Sequence, residues 1–96
     1  MNLAEQMIAK RDEILRLAAK HGAGNVRIFG SVARGQDTLS SDVDFLVDVV
    51  GETSPWFPGS LIADLEELLG RPVQVVTHRA LSPLIREHVL KEAQPL

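Results

Sequence analysis

Two aspartates stand one residue apart at the head of an apolar run, and this pattern limits how the chain can fold. Asp42 precedes segment 43–49, which is mostly valine, leucine and phenylalanine, and Asp44 lies inside it. The apolar run predicts a strand, and side chains two residues apart on a strand point to the same face, roughly 6.5–7 Å apart. The two carboxylates therefore project together from the start of a strand. They repel each other unless they are solvated or bridged by a cation.

A glycine–serine pair earlier in the chain supplies the second half of a candidate site. Gly30 follows a predicted strand at 26–29, and a glycine there lets a ligand approach the backbone closely. The predicted helical turn at 31–34 would present free amides to a phosphate. Ser31 adds a hydroxyl, and Arg34 can neutralise phosphate charge. The carboxylate pair suits Mg²⁺, which binds one or two protein carboxylates and completes its shell with substrate phosphates.

Helices alternate with short apolar strands along the rest of the chain. We predict helices at 3–21, 60–69 and 82–93, and strands at 26–29, 43–49 and 73–77. Strands one and two must be antiparallel if both halves belong to one site. Strands two and three, joined through a helix, should be parallel with a right-handed crossover. The expected fold is α/β, a small mixed three-stranded sheet in the order 1-2-3 flanked by helices.

Four residues mark the expected helix ends. Ser60 and Ser82 are predicted N-caps, and Gly70 is a predicted C-terminal stop. His21 is interpreted as a residue favoured by the negative end of the first helix.

Several other residues carry weaker signals. Asp48 shares the parity of the two aspartates, but we expect it to be solvated or paired. The pair Trp56-Phe57 would stack on a base, meet a partner or, as we favour, cover the core. The pair His78-Arg79 would rim the pocket or form a plain loop.

Composition excludes several classes of protein. The 96 residues fit a single domain, 1–96, and the net charge of −3 argues against a nucleic-acid-coating protein. There is no cysteine, which excludes disulfides and thiolate metal sites. No apolar run approaches transmembrane length, and charged residues near the N-terminus argue against a signal peptide. We expect a cytoplasmic protein that binds neither membrane nor nucleic acid.

The pattern Gly30-Ser31, ten intervening residues, then Asp42-x-Asp44 resembles the nucleotidyltransferase superfamily that includes the DNA polymerase beta palm. The length and element order are similar to those of its minimal (MNT) branch, whose members are often encoded beside a HEPN-domain partner. The resemblance implies a nucleotidyltransferase-like fold, with Asp42 and Asp44 as catalytic residues that bind Mg²⁺. It also implies ATP as donor, with Gly30, Ser31 and Arg34 around the phosphates.

The resemblance further implies transfer of AMP to a hydroxyl of a HEPN-type ribonuclease toxin, a tyrosine by the family analogy, with this chain as the antitoxin.

One residue departs from the family. Members that transfer nucleotides usually carry a third acid on the next strand, and Gln74 aligns with it here. Glutamine can neither act as a general base nor bring charge to a second metal. The alternative is therefore a weak or inactive module that neutralises its partner by binding alone. A stand-alone enzyme acting on small molecules is disfavoured by the short length.

Overall fold

The computed structural model describes residues 3–38 and 40–96. Its helices are α1 (Leu3–Ala9), α2 (Arg11–Lys20), α3 (Gly30–Ala33), α4 (Gly59–Leu69) and α5 (Pro83–Glu92), and its strands are β1 (Ala23–Phe29), β2 (Val43–Val49), β3 (Val73–Thr77) and β4 (Gln94–Pro95). A short 3₁₀ turn, His78–Ala80, follows β3. Leu39, in the segment before β2, lies outside the described residues. Within the described ranges, none of the helices is long and apolar enough to cross a membrane.

The sheet has the order β3-β2-β1-β4. Strand β1 is antiparallel to β2, and β3 is parallel to β2, as predicted. The prediction of three strands was wrong, because β4 pairs with β1 through Arg27 opposite Pro95 and Ile28 opposite Gln94. A two-residue strand that contains a proline has neither the length nor the alternation of a strand signal.

The two faces of the sheet carry different clusters of buried side chains. One face packs against α1, α2 and α4 around Phe45, which is fully buried. The opposite face carries a smaller cluster, in which Leu46 packs with Val89 of α5 and with Leu81, which follows the 3₁₀ turn. Alternation along β2 places Asp44 on the same face as Leu46. The candidate site therefore shares its face of the sheet with α5.

The predicted single helix at 3–21 is divided into α1 and α2 at Lys10. Helical hydrogen bonds continue across the division, since the Lys10 amide donates to Gln6 and its carbonyl accepts from Ile14. The Lys10 backbone leaves helical geometry (φ −103°, ψ 11°), and its Nζ donates to the Leu68 carbonyl at 2.8 Å. No proline or glycine marks the break, so periodicity alone could not locate it.

Ser60 does not cap α4 as predicted. The helix begins one residue earlier, at Gly59, with Pro58 at the N-cap position. The Ser60 hydroxyl instead lies 3.3 Å from Nδ1 of His21, whose Nε2 is 2.7 Å from Oδ2 of Asp64. His21 thus ties the end of α2 to the first turns of α4. The predicted ends at Gly70 (φ 68°) and Ser82 are confirmed by a left-handed backbone and a side-chain cap.

We expect His21→Ala to lower the melting temperature by a few degrees near neutral pH. The hydrogen bond to His21 is the main cause that lowers the pKa of Asp64, with Lys20 adding to it. A lowered carboxyl pKa stabilises the fold above the unfolded-state value and loses that effect as pH falls through the folded-state value. The difference from wild type should therefore shrink below about pH 3.8. Calorimetric melts from pH 3 to 7 measure it, and equal melting temperatures at pH 7 would contradict it.

Candidate active site

The antiparallel pairing of β1 and β2 brings the two halves of the sequence pattern together. Phe29, the last residue of β1, is directly opposite Asp44. Gly30 follows at once and begins α3, while Asp42 immediately precedes β2. The glycine–serine turn and the two aspartates thus meet at one end of the sheet. Val32 is buried in the larger cluster and anchors the short helix there.

Gly30 lies against the Asp44 carboxylate. Its backbone has φ 75°, a left-handed conformation that favours glycine. A Cβ atom at this position would overlap Oδ2 of Asp44 and lie only 3.2 Å from its Cγ. The sequence predicted that a ligand would need this close approach. That stays a prediction, and within the structure the group nearest to the space that a Cβ would occupy is the carboxylate of Asp44 on the neighbouring strand.

The surroundings of the Asp44 carboxyl disfavour its charged form. Partial burial raises its pKa most, followed by repulsion from Asp42 and Glu92, while Arg34 opposes the rise. A cation would relieve this repulsion. Among residues 3–38 and 40–96, no three His, Cys, Asp or Glu side chains are grouped so that they could hold a metal ion. The two carboxylates fit Mg²⁺, because this ion takes one or two protein carboxylates and fills its shell with water and phosphate oxygens.

Gln74 lies beside Asp44 on the neighbouring strand. The parallel register of β2 and β3 pairs these two residues directly, and Gln74 is exposed. The position aligned with the third acid therefore does face the site. What stands there is a neutral amide.

The loop before Asp42 is held by contacts that sequence reasoning missed. Arg71 donates from Nη1 to the Ser41 carbonyl at 3.2 Å. The Ser41 hydroxyl accepts from the Thr38 amide at 2.7 Å, and the Val43 amide donates to the Pro72 carbonyl at 3.0 Å. Nothing in the sequence pointed to Arg71, which lies thirty residues after Ser41.

Arg34 stands at the rim of the site, with about half of its side chain exposed. It forms an ion pair with Glu92, the last residue of α5. Sequence reasoning did not find Glu92, because a single acid near the end of an amphipathic helix normally faces solvent.

The weaker candidates lie at the other end of the sheet. Asp48 is paired as expected, since Arg27 donates to it at 2.7 Å and Asn25 at 2.8 Å. His78 follows the end of β3 and shares a small pocket with Asp48, so it does not rim the site. Trp56, in the loop after β2, is 79% exposed, whereas its neighbour Phe57 packs on the core.

A family model described as polymerase beta, nucleotidyltransferase, matches residues 12–96. The chain belongs to the polymerase beta nucleotidyltransferase family. The match includes both halves of the site, from Gly30 to Asp44. Among solved structures, one described as a putative minimal nucleotidyltransferase superposes with a TM-score of 0.86 at 46% identity, covering 100% of this chain and 97% of that one.

Two relatives come from Methanocaldococcus jannaschii. "Putative protein adenylyltransferase MJ0435" is 37% identical over 84% of this nucleotidyltransferase and 87% of its own length. "Putative protein adenylyltransferase MJ1379" is 30% identical, over 88% and 86%. A crystal structure of a toxin–antitoxin with AMP-PNP superposes on this chain with a TM-score of 0.74 at 21% identity. The superposition covers 88% of this chain and 69% of that one, and it shows a shared fold.

We expect Asp44→Asn to raise the melting temperature of the metal-free protein. The substitution removes a carboxylate whose ionisation is opposed by burial and by Asp42. Solvent screening limits the gain to roughly 0.5 kcal/mol, or about 2–4 °C. Because the folded-state pKa is raised, the penalty is absent in acid and complete above that pKa. The difference from wild type should therefore grow as pH rises from about 4 to 7.

Asp48→Asn is the matched control, because it removes an acid from the same face of the same strand. A hydrogen bond from Asn25, then the charge of Arg27, lowers the pKa of Asp48, so this variant should melt below wild type at pH 7. Melts in a chelating buffer compare the two. A lower melting temperature for Asp44→Asn at pH 7 would contradict the repulsion assigned to the site.

Proposed function

We propose that this nucleotidyltransferase transfers AMP from Mg-ATP to a tyrosine hydroxyl of a HEPN-type toxin and thereby acts as its antitoxin. The observation that carries the proposal is the meeting of Asp42 and Asp44 with the Gly30-Ser31 turn across β1 and β2. It joins carboxylates suited to Mg²⁺ with a phosphate-binding turn in one place.

Each half of the site has its own part in the reaction. Asp42 and Asp44 would hold Mg²⁺, which when bound offsets negative charge at the α-phosphate. The first-turn amides of α3 and the Ser31 hydroxyl would bind phosphate oxygens, since a first-turn amide has no acceptor within its own helix. Arg34 would pair with a further phosphate oxygen. The acceptor hydroxyl then loses its proton to solvent and attacks the α-phosphorus, while the bond from the α-phosphorus to the leaving pyrophosphate breaks.

A protein acceptor is supported by the chain's relatives and by the site's position. Both relatives from M. jannaschii bear the name of protein adenylyltransferases. Asp42 and Gln74 are both exposed, so the site opens at the surface of the domain. A toxin partner is favoured because one structurally similar protein is a toxin–antitoxin. The AMP-PNP in that structure favours a nucleotide ligand.

The test is transfer of label from α-labelled ATP to the co-expressed toxin in the presence of Mg²⁺. Wild type should add AMP to the toxin. The double variant Asp42→Asn/Asp44→Asn should transfer AMP at least about 10²-fold more slowly, because the charge that holds the metal is gone. Peptide mass spectrometry identifies the modified residue. Asp48→Asn, which keeps both site acids, should transfer at nearly the wild-type rate.

Loss of labelling in the double variant with retained toxin neutralisation would favour the second candidate, neutralisation by binding alone. The observation that favours this candidate is Gln74, which places no charge beside Asp44. Equal labelling in wild type and double variant would contradict the assignment of the two aspartates.

Gln74→Asp and Gln74→Glu should add the missing acid. A third carboxylate beside Asp44 would strengthen metal binding and could accept the proton of the acceptor hydroxyl, which is typically worth ~10²–10⁴ in rate. We expect at least one variant to exceed wild type in single-turnover transfer when chemistry limits the rate. Without Mg²⁺, both should melt lower than wild type, because a third acid adds repulsion.

Gln74→Ala controls for loss of the amide. If neither acidic variant gained rate or acquired a stronger Mg²⁺ dependence of melting, position 74 would have no part in metal or proton chemistry.

A further inference from the structure

The Arg34 guanidinium is restrained by two other side chains. Its Nε donates to Oε1 of Gln36 at 2.9 Å, and its Nη1 donates to Oε1 of Glu92. A guanidinium has five N–H donors. The Arg34 side chain forms no other hydrogen bond or ion pair in the described part of the chain, so these two contacts leave three donors available to a ligand.

Glu92 is built into the fold rather than free at the surface. Its side chain is only 13% exposed and lies at the end of α5, one turn after the buried Val89. Two residues later, Gln94 donates from Nε2 to the Ala33 carbonyl at 3.4 Å. The end of α5 and the start of β4 therefore contact consecutive residues of the turn that carries Arg34.

Glu92 is not placed as a third metal ligand. One of its oxygens accepts from Arg34, and the other lies 4.0 Å from Nε2 of His88. Within ranges 3–38 and 40–96, it forms no metal-holding group of three with Asp42 and Asp44. Its direct contact is with the arginine.

We propose that Glu92 is a positioning residue that fixes the Arg34 guanidinium at the rim of the site for a nucleotide phosphate. The inference rests on the proposed function, in which Arg34 binds phosphate. A free arginine side chain loses much conformational freedom when it binds a ligand, and one already restrained in the free protein loses less. The restraint should therefore appear as tighter nucleotide binding.

A second effect of Glu92 would have the opposite sign. A carboxylate near a triphosphate repels it, so if Glu92 acted only through its charge, Glu92→Gln would bind Mg-ATP more tightly. Positioning predicts the reverse, because a neutral amide accepts a weaker hydrogen bond from the guanidinium. Glu92→Asp keeps the charge but shortens the side chain by one methylene, and should also weaken binding.

The experiment is a double-variant cycle on the full chain, with Mg-ATP affinity measured by titration calorimetry. We expect Glu92→Gln to weaken binding about three- to tenfold. In an Arg34→Ala background, Glu92→Gln should change the Kd for Mg-ATP by less than about twofold. Transfer kinetics should show a raised KM for ATP with little change in kcat. Glu87→Gln, which removes an exposed acid from the same helix, should bind as wild type does.

Each outcome identifies what fails. Unchanged or tighter binding by Glu92→Gln, or an equal loss in the Arg34→Ala background, would overturn the positioning role. Wild-type affinity in Arg34→Ala would instead refute the phosphate role of Arg34 in the proposed function. If Glu92→Gln melted much lower than wild type, Glu92→Asp would carry the test, and wild-type affinity in that variant would overturn the proposal.

Discussion

The contact between the Gly30 backbone and the Asp44 carboxylate is the constraint on which the site depends. Antiparallel pairing places Phe29 opposite Asp44, so the next residue must turn away within the space left by that acid. Only a glycine with φ 75° does so without a Cβ that overlaps the carboxylate. The turn and the acid are therefore one structural unit, and a side chain at position 30 would disturb both.

The Gly30 turn and Asp44 together lower the free energy of unfolding when no cation is bound. Asp44 is partly buried beside Asp42, and its pKa is raised because ionising the carboxyl in this position is unfavourable. The rest of the fold supplies the opposing free energy through apolar burial. The face behind the site is packed by α1, α2 and α4, whereas the site's own face carries only the smaller cluster around Leu46. The sheet thus leaves the start of β2 and the adjoining part of β3 open to ligands.

The sequence was most informative where local pattern and tertiary structure agree. The bounds of β2 and β3 were predicted correctly, because each is an apolar run with polar residues or a proline before it. The family resemblance aligned Gln74 with the third acid, and the parallel register of β2 and β3 pairs Gln74 with Asp44. The missed features depend on contacts between residues distant in the chain, as when Lys10 binds the end of α4 and Glu92 binds Arg34. A single lysine or glutamate on a helix does not indicate its partner.

The neutral residue at position 74 bears on which acceptor the site can use. Without an acid there, no side chain on β3 next to Asp44 can take the proton of an attacking hydroxyl. The pKa of an aliphatic alcohol is far higher than that of a phenol, so such an acceptor would depend strongly on a base. A tyrosine hydroxyl, with a pKa of about 10, loses its proton far more readily. The absence of the third acid therefore agrees better with a phenolic acceptor than with a sugar hydroxyl, and it links the one departure from the family pattern to the proposed substrate.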